Sequence, residues 1–199
     1  MNAYILRCKP HSKNREQEFL EGRISIGWPC GKSLSNKSRE EIARAYEGLT
    51  ETSVSMISLF VNMPVNSIVL TPSILDKSLV HIFKTVSAYQ YDVDADNDDV
   101  GNPHYVSVEL LKTVARNDLP PPVIRSLSGA RKTLSQISKH YDILDEFICA
   151  GFEIEPTEHL LNTGNKVEAL NVLYELLTSE NEEIRLNAAM GILKYEQHL

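Results

Sequence analysis

The single tryptophan, Trp28, ends an alternating run, Arg23-Ile24-Ser25-Ile26-Gly27, and is followed by Pro29. An indole placed there can offer a flat face on which a nucleic-acid base stacks, an interaction of about 1–3 kcal/mol per base. It can equally plug the end of a sheet, since tryptophan is highly buried on average. The residues alone leave both readings open. Tyr89 and Tyr91 flank Gln90, so on a strand they face one side, and Tyr105 follows His104 in the next apolar stretch. These three phenols are candidate walls for the same stacked ring, with core or rim packing the commoner role for such side chains. His104 can bond a base edge, although a lone histidine is more often structural. Arg116, Arg125, Arg131 and Lys132 can line an edge that touches phosphates. For each of them a solvated surface is the alternative.

Other chemistries fit poorly. Gly27-Trp28-Pro29-Cys30-Gly31-Lys32-Ser33 approaches a phosphate-binding loop, but three residues separate its glycines where the motif has four, and Pro29 removes an amide. Asp92, Asp94 and Asp96 match the first ligands of a calcium loop. Asn97 then stands where that loop needs glycine, and Pro103 where it needs glutamate, so a solvated acidic loop is expected. Cys8, Cys30 and Cys149 are widely spaced and odd in number, which suggests neither a disulfide framework nor a zinc site. None has a histidine in a recognisable catalytic spacing. No catalytic residue, metal or cofactor is expected, and the chain is read as a non-enzyme.

Charge is unevenly distributed. The 199 residues carry a net −7, yet residues 140–199 alone carry −9, and residues 1–139 carry +2. Five of the acids in the first part fall in one stretch, Asp92, Asp94, Asp96, Asp98 and Asp99; outside it the balance is +7. A surface of that sign attracts phosphate by counterion release. The asymmetry points to two parts with different partners. No apolar run approaches the roughly 18–20 residues a membrane span needs, and the N-terminus turns polar too early for a signal peptide. A cytoplasmic protein without membrane contact is expected.

Periodicity supplies the elements that must position these side chains. Strands are expected at 3–8, 23–27, 67–71, 79–86 and 104–110. Ser38 and Glu41 form an S-x-x-E capping box that opens a helix through about Tyr46, with Gly48 as its stop. A second helix spans about 52–62, with Val54, Ile57 and Val61 on one face, and Pro64 ends it. Pro120-Pro121-Pro122 stiffens the chain before the basic segment. From Tyr141 the pattern is helical, and the boundary between the two parts is set at residues 1–139 and 140–199.

Several segments, in order, resemble the N-terminal domain of Mrr-like restriction-system proteins. Ile24-Ser25-Ile26-Gly27-Trp28 resembles an aromatic-terminated AIGW strand. Residues 60–72, from Phe60-Val61-Asn62-Met63-Pro64 to Thr71-Pro72, resemble a helix-to-strand segment, with Asn66-Ser67 where that family has Gly-Asp. Tyr89-Gln90-Tyr91 with His104-Tyr105-Val106-Ser107-Val108 is similar to a Y-x-Y … H-x-R-x-V pair, with Leu110 or its neighbour standing near an expected tryptophan. Arg116-Asn117-Asp118-Leu119-Pro120, Arg125-Ser126-Leu127 and Thr133-Leu134 resemble the closing segment. EVE and YTH readers share a related layout.

The resemblance covers about 1–137 and implies an α+β fold: a small PUA-like mixed β-barrel with inserted helices, followed by an α-helical region. It also implies an aromatic pocket for a flipped or modified base, hence a nucleic-acid reader, DNA in preference to RNA, linked to restriction or defence. The acidic tail, through Lys166-Val167-Glu168-Ala169-Leu170 and Glu183-Ile184-Arg185 to Leu193, looks like a single HEAT-type helical pair. One such pair cannot bury its apolar face alone. It is expected to pack on the rest of the chain or to dock a protein partner or second copy. The rival expectation is a protein–protein adaptor or inhibitor that works through those acidic helices.

Overall fold

The computed structural model describes residues 1–46 and 48–150, together with 177, 178, 185, 186 and 189. The chain divides into two compact units, Met1–Phe152 and Glu153–Leu199. The expected HEAT-like pair lies almost wholly outside the described residues. Among those residues, no helix is long and apolar enough to cross a membrane.

The first unit is a mixed α+β structure built on one curled sheet. Its strands are β1 (Ala3–Leu6), β2 (Arg23–Ile26), β3 (Ile68–Pro72), β4 (Leu79–Thr85), β5 (Gln90–Tyr91), β6 (His104–Ala115) and β7 (Leu134–Gln136). The order is β2-β6-β4-β3-β1-β7, with β5 added beside β6. The sheet is therefore a half-barrel, open between β2 and β7. All five expected strands are present; β5 and β7 are too short to carry a periodic signal. Among the described residues, only β1 and β3 pair in parallel. Strand β1 is buried along its whole length, with Ala3 and Ile5 in one core cluster and Tyr4 and Leu6 in the other. A continuous apolar run is what a strand covered on both faces requires.

Helices cover the two faces. Helix α1 (Glu16–Leu20) buries Phe19; α2 (Arg39–Ala45) and α3 (Glu51–Val61) bury Ile42 and Val54, Ile57, Phe60 and Val61 against the same side. The capping box forms as expected: Glu41 N–H donates to Ser38 Oγ at 3.2 Å, and Ser38 N–H to Glu41 Oε2 at 2.8 Å. The opposite face is covered by α4 (Pro121–Gly129), through Val123 and Leu127, and by α5 (Tyr141–Cys149), through Leu144 and Ile148. Helix α5, which the sequence pattern groups with the C-terminal region, thus contributes to the core of the first unit.

Asn66, standing where the resembled family has glycine, sits in the left-handed region at φ 66°. Asparagine tolerates that conformation better than most residues, so the turn into β3 survives the exchange. Leu110 is 40% exposed and lies opposite Phe83.

Candidate nucleic-acid interface

The Trp28 region is organised around a buried histidine. His104 has no exposed surface, although it opens β6 next to the half-buried Tyr105. Strand alternation sends His104 inward and Tyr105 outward. Tyr89 and Tyr91 do share one side: both rings lie against His104, with centroids 5.8 and 5.9 Å away. Tyr105 lies instead under the Arg23 guanidinium, 4.2 Å from it, and its hydroxyl donates to Gln90 Oε1 at 3.1 Å.

Both His104 nitrogens are engaged. Nδ1 is 2.8 Å from the Tyr89 hydroxyl; Nε2 is 2.9 Å from the Tyr46 hydroxyl and 3.1 Å from the Trp28 carbonyl. Tyr46 donates to the same carbonyl at 2.6 Å, and Leu34 N–H donates to Tyr89 Oη at 3.1 Å. One tautomer satisfies this set: Nε2–H donates toward Trp28 O, and Nδ1 accepts from Tyr89. Burial lowers the His104 pKa, opposed by its bond to Trp28 and by the charge of Asp96. The ring is therefore neutral at neutral pH. Burial raises the Tyr46 and Tyr89 pKa values, so both phenols keep the protons the network uses.

What this network holds is the backbone of Trp28, which has φ 68°. A bulky residue in the left-handed region costs roughly 1–3 kcal/mol and persists only where the surroundings impose it. Here Tyr46 and His104 grip the Trp28 carbonyl from one side. The acidic loop pins the chain two residues on: Cys30 N–H donates to Asp96 Oδ1 at 2.8 Å, and Tyr91 donates to Asp96 Oδ2 at 2.6 Å. That loop is only partly solvated. Asp92 also pairs with Arg23 at 2.8 Å, and the Lys13 ammonium and Arg15 guanidinium donate to the carbonyls of Asp99 and Val100. Of the aspartates expected to form a solvated loop, Asp94, Asp98 and Asp99 are exposed, whereas Asp92 and Asp96 fasten the loop to β2 and β5.

The held tryptophan lines a cavity of about 440 Å³, together with Lys9, Pro10, His11, Gly27, Tyr46 and Thr133 among others. Small-ligand pockets usually measure about 300–1,000 Å³. Two glycines make room for one wall. A Cβ on Gly101 would stand 2.5 Å from the His11 ring, and one on Gly27 would stand 2.9 Å from the His11 amide. Tyr46, Lys9 and His11 carry no sequence signature. Tyr46 ends a helix and meets its partner His104 only across the fold, whereas His11 and Ser12 sit in a turn with φ of 49° and 62°. Of the five aromatic candidates, Trp28 alone lines the cavity; Tyr89, Tyr91 and His104 form the support behind it, and Tyr105 lies on another face.

The basic candidates do not converge on one point. Arg116 Nη2 donates to Ser128 Oγ at 3.2 Å. Arg125 is exposed on α4, and Arg131 and Lys132 line a shallow depression beside α3 and β7. Among the described residues no group of three His, Cys, Asp or Glu side chains could hold a metal ion.

No protein-family model matches the chain, and no curated protein is significantly similar to it. The solved structures that align with it include the following three. The Atu2648 protein of Agrobacterium tumefaciens is 12% identical, with 78% of this chain and 97% of that chain covered and a TM-score of 0.42. The YTH domain of Zygosaccharomyces rouxii MRB1, in complex with N6-methyladenosine RNA, is 15% identical over 73% and 86% of the two chains, TM-score 0.37. Human THYN1, in complex with 5-methylcytosine-containing DNA, is 11% identical over 78% and 100%, TM-score 0.38.

One consequence of the network can be measured on the isolated protein. Tyr46→Phe removes one of the two groups gripping the Trp28 carbonyl and leaves buried acceptor capacity unpaired. A loss of about 1–2 kcal/mol is expected. It should appear as a lower urea midpoint at unchanged slope. An unchanged midpoint would mean that the hydroxyl bears none of the Trp28 strain.

Proposed function

We propose that the chain is a non-enzymatic nucleic-acid reader whose Trp28 cavity takes an extruded base. The observation that carries this reading is a solitary tryptophan, held in a costly backbone conformation by buried hydrogen bonds, lining a cavity of about 440 Å³ that also contains Lys9. Strain maintained by a dedicated network is characteristic of binding sites. Stacking on an aromatic side chain is how an unpaired base is held, and mismatched, damaged or already single-stranded bases are the cheapest to extrude. The positive balance of residues 1–139 outside the aspartate loop supplies the long-range attraction for phosphates. Arg125, Arg131 and Lys132 add outlying cations. DNA is the favoured polymer, and the resemblance to restriction-associated domains favours a role in defence or in a mobile element's answer to it.

The test is a salt titration of unmodified and cytosine-modified oligonucleotides. Binding that weakens as salt rises and is tighter for one of the modified forms is expected. No affinity at low salt, together with a stable protein complex in a pull-down, would favour the adaptor reading, with the acidic residues 140–199 as the docking element.

A further inference from the structure

Strands β1 and β3 run side by side in the same direction, so the segments that follow them emerge at the same edge of the sheet. In α/β architectures, ligands collect outside the carboxyl ends of parallel strands. Here β1 is followed by Arg7, Cys8 and Lys9, and β3 by Ser73, Ile74 and, after a turn, Lys77. Arg116 arrives from the end of β6, its amide donating to Ser78 O at 2.6 Å. Together they line a second cavity of about 510 Å³, floored by Ile5, Pro72 and Leu127.

Its charge is one-sided. Arg7, Lys9, Lys77 and Arg116 all line it, and no carboxylate does. Neither the Lys9 nor the Lys77 ammonium has a hydrogen bond or ion pair among the described residues. Arg7 spends one N–H on Ala130 O at 2.7 Å and Arg116 one on Ser128 Oγ at 3.2 Å, which orients each guanidinium and leaves further donors available. The buried Glu16 carboxylate stands behind the wall, its oxygens taken up by the lining Ser73 and Ile74 and by Leu75 and His81. That one carboxylate, already bound to its own partners, leaves the four lining cations with an excess of positive charge that an anion offsets.

We propose that this cavity is a phosphate-binding site in which Arg7, Lys9, Lys77 and Arg116 hold a phosphodiester or phosphomonoester group. It goes beyond the reader function and stands on the cations alone. Lys9 lines this cavity and the Trp28 cavity alike. A backbone phosphate beside a base in the Trp28 cavity is therefore one source, and the phosphate of a free ester is the other.

The full chain and its Lys77→Gln/Arg116→Gln variant should be compared with two probes, inorganic pyrophosphate by calorimetry and a labelled single-stranded 12-mer by fluorescence anisotropy. The double variant is expected to weaken at least one probe about tenfold. For the 12-mer, the logarithmic salt slope should fall by about 1.4, as the loss of two contacts to a single strand requires. Loss confined to the oligonucleotide assigns the site to backbone phosphate; loss confined to pyrophosphate assigns it to a free ester. Lys77→Glu, at an exposed position, repeats the test should the double variant fold poorly. The proposal is overturned if both probes ignore these changes, or if Lys139→Gln weakens them equally. Failure of the reader function would show separately, as wild-type protein whose Trp28 emission never responds to the 12-mer.

Discussion

Trp28→Ala is expected to lower oligonucleotide affinity by about 1–3 kcal/mol, the value of one base–aromatic stack, which is about fivefold to 150-fold in Kd. Two features make the change interpretable. Trp28 is only partly buried, so its removal does not empty the main core. Its backbone is left-handed at φ 68°, so alanine retains the strain and glycine relieves it. Trp28→Gly should therefore be the more stable of the two variants in urea, while both lose affinity alike. If Trp28→Ala folds normally and binds as the wild type does, the cavity is not a base site.

The second large effect concerns stability. Glu16 is 3% exposed and accepts four hydrogen bonds: from Ser73 Oγ at 2.5 Å, Ile74 N–H at 2.7 Å, Leu75 N–H at 3.1 Å and His81 Nε2 at 3.0 Å. Since the carboxylate only accepts, His81 carries a proton on Nε2, and its Nδ1 lies 2.9 Å from Thr113 Oγ1. Burial by itself would raise the Glu16 pKa, but the hydrogen bonds from Ser73, His81 and the two amides outweigh it and hold the value at about 2. The folded protein thus binds fewer protons than the unfolded chain between the ordinary carboxyl value of 4.5 and about 2. The resulting stabilisation, about 3 kcal/mol, is complete above that window and is lost as the pH falls through it. Glu16→Gln puts an amide donor among these donors and should cost about 3 kcal/mol at neutral pH. The variant should also lose much of the acid sensitivity that urea unfolding between pH 7 and 3 reveals in the wild type. An equal pH slope in both proteins would contradict the assignment. Burial, reinforced by the charge of the same carboxylate, pushes the Cys8 thiol up to about 11, which leaves that cysteine a poor nucleophile at neutral pH.

What the sequence made legible is what depends on near neighbours. The capping box at Ser38 and Glu41, the buried face of Val54, Ile57 and Val61, and the pairing of Tyr89 with Tyr91 on one strand side all follow from local spacing. Helix α4 was hidden because three prolines read as a stiff linker. Pro121 instead occupies the first turn, where its missing N–H costs nothing, and Val123 and Leu127 provide a one-stripe face. The site was only half legible, because its other half is tertiary. Tyr46 becomes a wall of the cavity through a contact with His104, fifty-eight residues away. Glu16 reads as an ordinary helix-turn acid until β4 brings His81 beside it. Arg7, Lys9 and Lys77 look like scattered surface charges until the parallel pairing of β1 and β3 gathers their loops. Arg125 and Lys132, whose sequence placement suggested one phosphate edge with Arg116, line neither of the two cavities that Lys9 joins.

Because Trp28 is the sole tryptophan, its fluorescence reports on the cavity without any label. The most direct test is a titration of the full chain with single-stranded and duplex oligonucleotides, unmodified and cytosine-modified, following tryptophan emission and oligonucleotide anisotropy in the same sample. The expected result is saturable quenching of Trp28 that tracks the anisotropy change and is strongest for a base that unpairs easily. Anisotropy that saturates while Trp28 emission stays constant would contradict the account, since the nucleic acid would then be bound without a base entering the cavity.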